Sequence, residues 1–399
     1  MGFAFVFSII LLVTAVLYFT MILILTIGVL KKDRTRSVPF GIGTYFSPAQ
    51  SGVKNMNPGK VSVILPARNE ISVITDCLDD IAQQDYPKEL FEIIVSDDFS
   101  DDYTVEKVRR WAKEHPELRL TLLEGVTNAR DDHGKKKAIE RAVAIADGEI
   151  ILTTDADTFH GRSWIRSIAA AFNKQGVKMV LGPVGFTGEK SMFQKIQQLE
   201  FLGIMGVTAG SANLGFSMMC NGANLAYRKQ AFYESGGFSG NSVFHSGDDQ
   251  FLMMKFRRKY GGRSVIFLNK KEAITLTTPC TTWNDFWEQR LRWVSKSKGY
   301  RDFTVITAGV LTVGFPFLIL IGGLAGIFNP AILFLSFLLW FLKILAEYPL
   351  VWLMARFFDR KHLLNYYFAA QVFQFFYSIA VAIAGQFSMY SWKGRSFRR

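Results

Sequence analysis

Cysteine is scarce. Three residues, Cys77, Cys220 and Cys280, lie far apart in 399, which excludes a disulfide framework and a zinc site built on closely spaced thiolates. A reducing compartment suits such a chain. Charge is missing altogether from Gly2 to Leu30, from Phe303 to Leu342 and from Leu363 to Trp392, and uncharged runs of this length exclude a wholly water-soluble protein. There is no internal repeat and no low-complexity tract, and with 49% hydrophobic and 20% charged residues neither a disordered nor a fibrous chain is in question. The first run, Phe3 to Leu30, is too long for the apolar part of a signal peptide and has no basic residue before it. It ends in Lys31, Lys32, Arg34 and Arg36 instead of small residues suited to cleavage, so it reads as a retained anchor.

What is present is a basic balance, a net charge of +12. That sign is compatible with nucleic acid, an acidic membrane surface or an anionic substrate, but basic residues flanking membrane segments explain much of it. The expected organisation is a transmembrane anchor over 1–30, a Gly-, Pro- and Ser-rich linker over 31–59 and a folded domain over 60–281. An amphipathic interfacial helix over 282–300, two or three transmembrane helices over 301–392 and a basic tail over 393–399 follow. Within the domain, apolar strand-like runs alternate with helical periodicity. Val61–Leu65, Phe91–Val95, Leu118–Leu123, Ile150–Thr153 and Lys178–Leu181 are separated by helices ending near Gln84 and Glu114 and helices over Lys135–Ala146 and Ser163–Asn173. Successive βα units of this kind predict an α/β fold around a mostly parallel sheet. Beyond Glu189 the pattern blurs, with one long helix expected over Ser191–Gly210 and another over Asp249–Arg258.

In open α/β sheets ligands bind beyond the carboxyl ends of the strands. Those ends are acidic here: Pro66-Ala67-Arg68-Asn69-Glu70 after the first strand, Asp97-Asp98-Phe99-Ser100-Asp101-Asp102 after the second, and Asp155-Ala156-Asp157 after the fourth. Any one aspartate could be a turn former or a helix cap. Three acidic ends on one edge would repel one another without a cation. Asp155 and Asp157 offer two hard oxygen ligands, suited to Mg2+ or Mn2+ holding a diphosphate. His133-Gly134-Lys135 opens a helix where backbone N–H groups and a lysine suit an anion, while Lys136 and Lys137 read as a solvated face. Gly247-Asp248-Asp249 opens a later helix, where an aspartate is either an N-cap or a general base.

In this order and spacing the residues resemble the processive and lipid-directed branches of the family 2 glycosyltransferases, similar to ceramide glucosyltransferase-like and to hyaluronan and poly-N-acetylglucosamine synthase-like enzymes. Those are membrane enzymes with a GT-A domain. The resemblance covers roughly Lys60 to Gly299. It rests on the strand-end Val63 to Glu70, on D-D-x-S-x-D at Asp97 to Asp102 and on G-K-x-x-A-I at Gly134 to Ile139. D-x-D at Asp155 to Asp157, Asp248-Asp249 and Q-x-x-R-W at Gln289 to Trp293 complete it. It implies inverting transfer from a nucleotide-diphosphate donor, a UDP sugar, to a hydroxyl. Pro66, Arg68, Glu70, Asp97, Asp98, Lys135 and Asp155 would bind the donor, Asp155 and Asp157 the metal, and Asp249 would be the catalytic base. Asp248, Gln289, Arg292 and Trp293 would serve the acceptor and diphosphate. Phe99 stands where the family usually has Gly, and Gly-Asp-Asp replaces the commoner Thr-Glu-Asp, which weakens any link to cellulose synthases.

Two rival classes fit less well. RNA-dependent polymerases also pair Gly-Asp-Asp with an earlier aspartate motif, but the apolar runs and the βα order argue against nucleic acid as partner. A transporter or scaffold would account for Lys343 and Glu347, at i, i+4 within an apolar run, as a pathway, though such a pair also serves as helix glue; it gives the acidic-edged domain no role. Within the family the acceptor is a membrane lipid or a growing glycan, and the small number of membrane helices favours the lipid. The positive-inside rule places the domain in the cytosol and the chain in the inner or plasma membrane. The same rule conflicts with a full crossing by Leu363–Trp392, which would put Lys393, Arg395, Arg398 and Arg399 outside; that segment either breaks the rule or is re-entrant or interfacial.

Overall fold

The computed structural model describes residues 2–31, 59–125, 134–240, 247–387, 390–392 and 395–397. The expected linker, apart from Lys31 and Gly59, lies outside the described residues, as do His133 and, in the basic tail, Lys393, Arg398 and Arg399. The chain groups into two compact units, one of residues 30–186 and 212–278, the other of residues 1–29, 187–211 and 279–399.

The first unit is built on a seven-stranded sheet of order β3-β2-β1-β4-β8-β6-β9. Its strands are β1 (Val61–Ala67), β2 (Phe91–Asp97), β3 (Leu120–Leu123), β4 (Ile150–Thr153), β6 (Met179–Leu181), β8 (Leu225–Arg228) and β9 (Val265–Phe267). β1, β2, β3 and β4 run parallel, while β8 is reversed against both β4 and β6. The expected parallel sheet is thus present with one inverted strand. A smaller sheet joins β5 (Thr158–His160), β10 (Thr275–Thr277) and β7 (Val184–Phe186).

Helices α2 (Ile74–Ala82), α3 (Thr104–Glu114), α4 (Lys135–Ile145) and α5 (Trp164–Ala171) connect the strands; α7 (Lys229–Glu234) and α8 (Asp248–Tyr260) follow β8. Every residue of β2 is buried because helices cover both faces of the sheet, so its side chains need no polar alternation. α2 buries Ile74, Cys77, Leu78 and Ile81, the i, i+3, i+4, i+7 stripe of a helix lying on a sheet. The register Ala67 opposite Asp97 brings the ends of β1 and β2 level, which is how two separate motifs come to share one edge.

The second unit holds α1 (Gly2–Leu30), most of α6 (Met192–Leu214), α9 (Trp283–Ser295), α10 (Phe303–Ala325), α11 (Pro330–Phe357), α12 (Tyr367–Phe387) and the short strands β11 (Tyr390–Trp392) and β12 (Arg395–Phe397). Four of its helices are long and apolar enough to cross a membrane: Ala4–Leu30, Phe303–Ala325, Pro330–Phe357 and Lys361–Gly385. Residues 187–211, expected inside the 60–281 domain, group with these helices. Small residues carry the closest approaches. A Cβ on Gly28 would lie 2.2 Å from the Gly210 carbonyl oxygen, so a larger residue there would push two helices apart, while one on Gly322 would lie 2.2 Å from Ser336 Oγ and force that side chain to shift.

Lys343 and Glu347 prove to be part of a closed polar clasp. Their side chains pair at 2.8 Å; Lys343 Nζ donates to Gln371 Oε1 at 3.2 Å, Gln371 Nε2 donates to Glu347 Oε2 at 2.8 Å, and the Tyr18 hydroxyl donates to Glu347 Oε1. The clasp joins α1, α11 and α12 in surroundings where an unpaired charge would be costly, which is the behaviour of helix glue. Glu347→Ala strands the buried Lys343 and should lower the melting temperature of the detergent-purified protein by several degrees, with Glu347→Gln less affected because its amide oxygen still accepts. Equal stability of Glu347→Ala and wild type would contradict the clasp.

Candidate active site at the sheet edge

The loops after β1 and β2 interlock through the backbone. Asp98 N–H donates to Ala67 O at 2.8 Å, Asn69 N–H to Ser100 Oγ at 2.9 Å, Asp101 N–H to Asn69 Oδ1 at 3.0 Å and Glu70 N–H to Thr104 Oγ1 at 2.9 Å. Arg68 Nη1 donates to the carbonyls of Asp98 and Phe99 at 2.6 and 2.9 Å. Such tight turns require left-handed residues. Asn69, Phe99 and Tyr103 take them at φ of 52°, 60° and 66°. Phe99 therefore takes a backbone conformation that favours glycine, at a cost in strain, and its ring lies so close over Gly125 that a Cβ there would come within 2.9 Å.

Pro66 precedes this edge half-buried, and Asp97 and Asp98 are almost fully buried. Asp97 Oδ2 accepts from Ser100 N–H at 3.0 Å, while its Oδ1 is buried with no hydrogen-bond partner among the described residues; burial pushes this carboxyl up. An orphaned buried acceptor is costly, and a ligand N–H or O–H would satisfy it. Asp98 faces inward, where its Oδ1 accepts from Gly134 N–H at 2.7 Å and ties the second motif to the helix opened by Gly134.

That tie sets Lys135 at the first turn of α4, where its ammonium donates to Asp155 Oδ1. On the other side stand Asp248 and Asp249, on the first turn of α8. Gly222 lies between these groups, with a Cβ position on it 3.5 Å from Lys135 Nζ, 3.7 Å from Asp249 Cβ and 3.8 Å from Asp248 Oδ2. Its N–H donates to Asp249 Oδ2 at 3.0 Å and aims that carboxylate. Burial works to lower the Lys135 ammonium, but Asp155, Asp248 and Asp249 overcome it and hold the group above the ordinary lysine range. Burial in turn pushes the Asp248 carboxyl up against the pull of Lys135. Lys137 is exposed and pairs with Glu140, as a solvated face should. Lys136 differs from that expectation: its ammonium sits 5.5 Å from the Phe251 ring centroid, and burial lowers it.

Asp155 and Asp157 share one turn, and Thr277 Oγ1 reaches Asp157 Oδ2 at 3.4 Å. Among the described residues no three His, Cys, Asp or Glu side chains form a closed metal cage. Two carboxylates on an open edge are the donor set of a hard cation that completes its shell with phosphate oxygens, so these residues fit Mg2+ or Mn2+. Beneath them lies a network that the sequence motifs do not announce. Thr158 Oγ1 donates to Asp155 O at 2.6 Å, Thr154 Oγ1 to Ala223 O at 2.9 Å, and both hydroxyls meet His160 Nε2, at 3.0 and 3.2 Å. His160 Nδ1 meets Thr275 Oγ1 at 3.2 Å, and its ring stacks on Trp164 at 3.8 Å. The D-x-D turn and the Gly222 turn that aims Asp249 are thereby joined through one buried imidazole.

The Q-x-x-R-W segment belongs to the second unit, on α9. Thr282 Oγ1 caps this helix by accepting from Asp285 N–H at 3.2 Å. Gln289, Arg292 and Trp293 are half-buried, and the most buried charged side chain of the segment is Arg290, which the motif leaves unassigned.

Burial lowers His160 to about 3 from an ordinary value of 6.5. Between those values the unfolded chain takes up a proton that the folded chain refuses, so this residue's contribution to stability is complete above the unfolded value and declines as pH falls towards the folded one. Cys77 and Asp80 are its titratable neighbours and stay in place in a His160→Gln variant, whose amide cannot protonate. That variant should lose less melting temperature than wild type between about pH 7 and about pH 4.5; equal losses would contradict a neutral buried His160.

Two family models match the chain: glycosyl transferase family 2 over residues 62–236 and glycosyl transferase family group 2 over residues 150–389. An N-acetylglucosaminyltransferase of Rhizobium meliloti (strain 1021) is 28% identical over 257 residues, covering 61% of this chain and 56% of the relative. A beta-monoglucosyldiacylglycerol synthase of Trichormus variabilis is 24% identical over 244 residues, covering 61% of this chain and 49% of the relative. The chain spans about half the length of these curated relatives. Among solved structures, a mannosyltransferase from Pyrobaculum calidifontis in complex with GDP-Man and Mn2+ superposes with a TM-score of 0.55 at 21% identity, covering 93% of this chain and 99% of that one, and shares the GT-A fold. The chain belongs to the family 2 glycosyltransferases.

Proposed function

We propose that this glycosyltransferase carries out inverting transfer of a sugar from a UDP-sugar donor to the hydroxyl of a membrane lipid, with Asp249 as general base. The observation that carries this reading is the pairing of Asp249 with Gly222: a carboxylate on an open helix start, aimed by a backbone N–H at 3.0 Å, beside the lysine that holds Asp155. In the reaction the acceptor O–H proton passes to Asp249, its oxygen forms a bond to sugar C1, and the C1–O bond to the diphosphate breaks with the electron pair leaving on the diphosphate. Lys135 stabilises the charge that builds up there. A divalent cation held by Asp155 and Asp157 supplies further neutralisation when bound. Asp97, with its unsatisfied Oδ1, together with Glu70 and Arg68 on the interlocked loops, serves the nucleoside, and Gln289, Arg292 and Trp293 serve the acceptor.

A lipid acceptor is favoured by the four helices long enough to span a membrane and by the aromatic side of α9, where Trp283 packs on Phe286 at 5.4 Å and on Phe373 of α12 at 5.8 Å. Aromatic and basic side chains of this kind sit at headgroup level. The name of the Trichormus relative, a diacylglycerol-glycolipid synthase, supports the same class, while that of the Rhizobium relative supports an N-acetylglucosamine donor. With the catalytic unit in the cytosol, where nucleotide sugars are made, Lys31 lies on the inner side as the positive-inside rule requires. A processive polysaccharide synthase is the second reading.

Asp249→Asn should reduce turnover by roughly a hundredfold to ten-thousandfold while leaving UDP affinity within twofold, measured by radiolabel transfer and by calorimetry. Near-normal turnover would remove Asp249 as base. Asp157→Ala should abolish the Mn2+-dependent part of UDP binding; equal UDP affinity with and without Mn2+ in the wild type would remove the metal site. The acceptor is tested by incubating purified protein with radiolabelled UDP sugars and a membrane lipid extract. Label in a discrete solvent-soluble product is expected, and label in long water-soluble chains made without lipid would overturn the lipid reading.

A further inference from the structure

Arg290 stands between Gln289 and Leu291 on α9 and is 3% exposed. Its guanidinium grips Glu200 of α6 with both ends of the fork, Nη2 to Oε2 at 2.5 Å and Nε to Oε1 at 3.3 Å. The Glu200 side chain is 8% exposed against 4% for that of Arg290, and it also accepts from the Tyr377 hydroxyl of α12. A buried pair of this kind is costly to desolvate and persists where geometry is completed by further hydrogen bonds, as it is here. The remaining surfaces of Arg290 are used as well. Nη1 donates to Gln289 Oε1, and the guanidinium carbon lies 4.2 Å from the ring centroids of both Phe286 and Trp293. Phe286 at i−4 and Trp293 at i+3 share its helix face, so the cation is sandwiched between two rings. Phe201, beside Glu200 in the chain, packs on Trp293 from α6 at 6.3 Å.

We propose that Glu200 and Arg290 are positioning residues that fix the Gln289 amide and the Trp293 ring for the acceptor, with Tyr377 as their outer support. The inference rests on the acceptor role proposed above for Gln289 and Trp293. Two of the three motif side chains are held by Arg290: its Nη1 donates to the Gln289 carboxamide oxygen, and its guanidinium lies against the Trp293 indole. Lysine cannot substitute, since a point charge can neither span both Glu200 oxygens nor stack flat between two rings. Glu200 acts one step further out. Neutralising it leaves a buried guanidinium with no counter-charge, which then has reason to leave the sandwich.

The test uses the full chain in lipid nanodiscs with three variants, Arg290→Lys, Glu200→Gln and Tyr377→Phe. UDP binding in the presence of Mn2+ is measured by calorimetry, and transfer from radiolabelled UDP sugar is titrated with the lipid-extract fraction that supports wild-type turnover. Arg290→Lys and Glu200→Gln should raise the apparent KM for that fraction at least tenfold with UDP affinity within twofold of wild type, and Tyr377→Phe should act in the same direction by about threefold. UDP affinity reports on residues of the other compact unit and would not be spared by a general loss of structure. Should Arg290→Lys not be recovered as monodisperse protein, the same split in Glu200→Gln and Tyr377→Phe is required. An unchanged KM, or UDP binding and transfer lost together in all three, would overturn the positioning role. A wild-type protein that transfers to no lipid fraction would instead overturn the acceptor reading on which it rests.

Discussion

The acidic sheet edge is organised around the ammonium of Lys135. Asp155, Asp248 and Asp249 come from β4's end and from the start of α8, and three carboxylates so close would repel one another without a positive charge between them. Lys135 is that charge, paired with Asp155, and Lys136 adds a second near Asp248 and Asp249. The Lys135 backbone is fixed because Gly134, at φ 107°, gives its N–H to Asp98, so the motif that ends β2 determines where α4 starts and hence where the ammonium lies. The same lysine that permits the carboxylates to gather is the one proposed to meet the diphosphate, so fold and proposed chemistry meet at this point.

Around that centre, rigidity comes from uncharged groups. His160 is kept neutral by burial and joins the D-x-D turn to the Gly222 turn through threonine hydroxyls, and the left-handed Asn69, Phe99 and Tyr103 close the two loops that follow β1 and β2. A preorganised site needs supports that do not themselves respond to the charge of a substrate, and a neutral histidine with both nitrogens occupied meets that need. The second unit holds two sets of buried polar groups that satisfy one another, Tyr18 with Lys343, Glu347 and Gln371, and Glu200 with Arg290 and Tyr377.

Much of this was legible in the sequence where the signal is local. β1, β2 and β4 begin where their apolar runs do, and α4 and α9 lie within a few residues of their expected bounds, because strand burial and helix capping leave short-range patterns. The acidic strand ends predicted the edge that they form. Less legible were features set by distant partners. Nothing near Glu200 announces Arg290, 90 positions away, and nothing near His160 announces Thr275. The tie from Gly134 N–H to Asp98 Oδ1, 36 positions apart, is likewise invisible in the motif. Residues 187–211 read in the sequence as part of the domain, whereas Gly206 and Gly210 suit close contact with Leu350 of α11 and Leu25 of α1, which only three-dimensional packing reveals.

The most direct test of the account is the stability of Lys135→Met as a function of pH and Mn2+. With the cation gone, the clustered carboxylates should be protonated more readily in the folded chain than in the unfolded one, so stability should fall as pH rises from about 4.5 to about 7. The account predicts a variant markedly less stable than wild type near neutrality, with the deficit shrinking on acidification and on addition of Mn2+. A Lys135→Met protein as stable as wild type at neutral pH, indifferent to both, would contradict the claim that this one lysine holds the catalytic edge together.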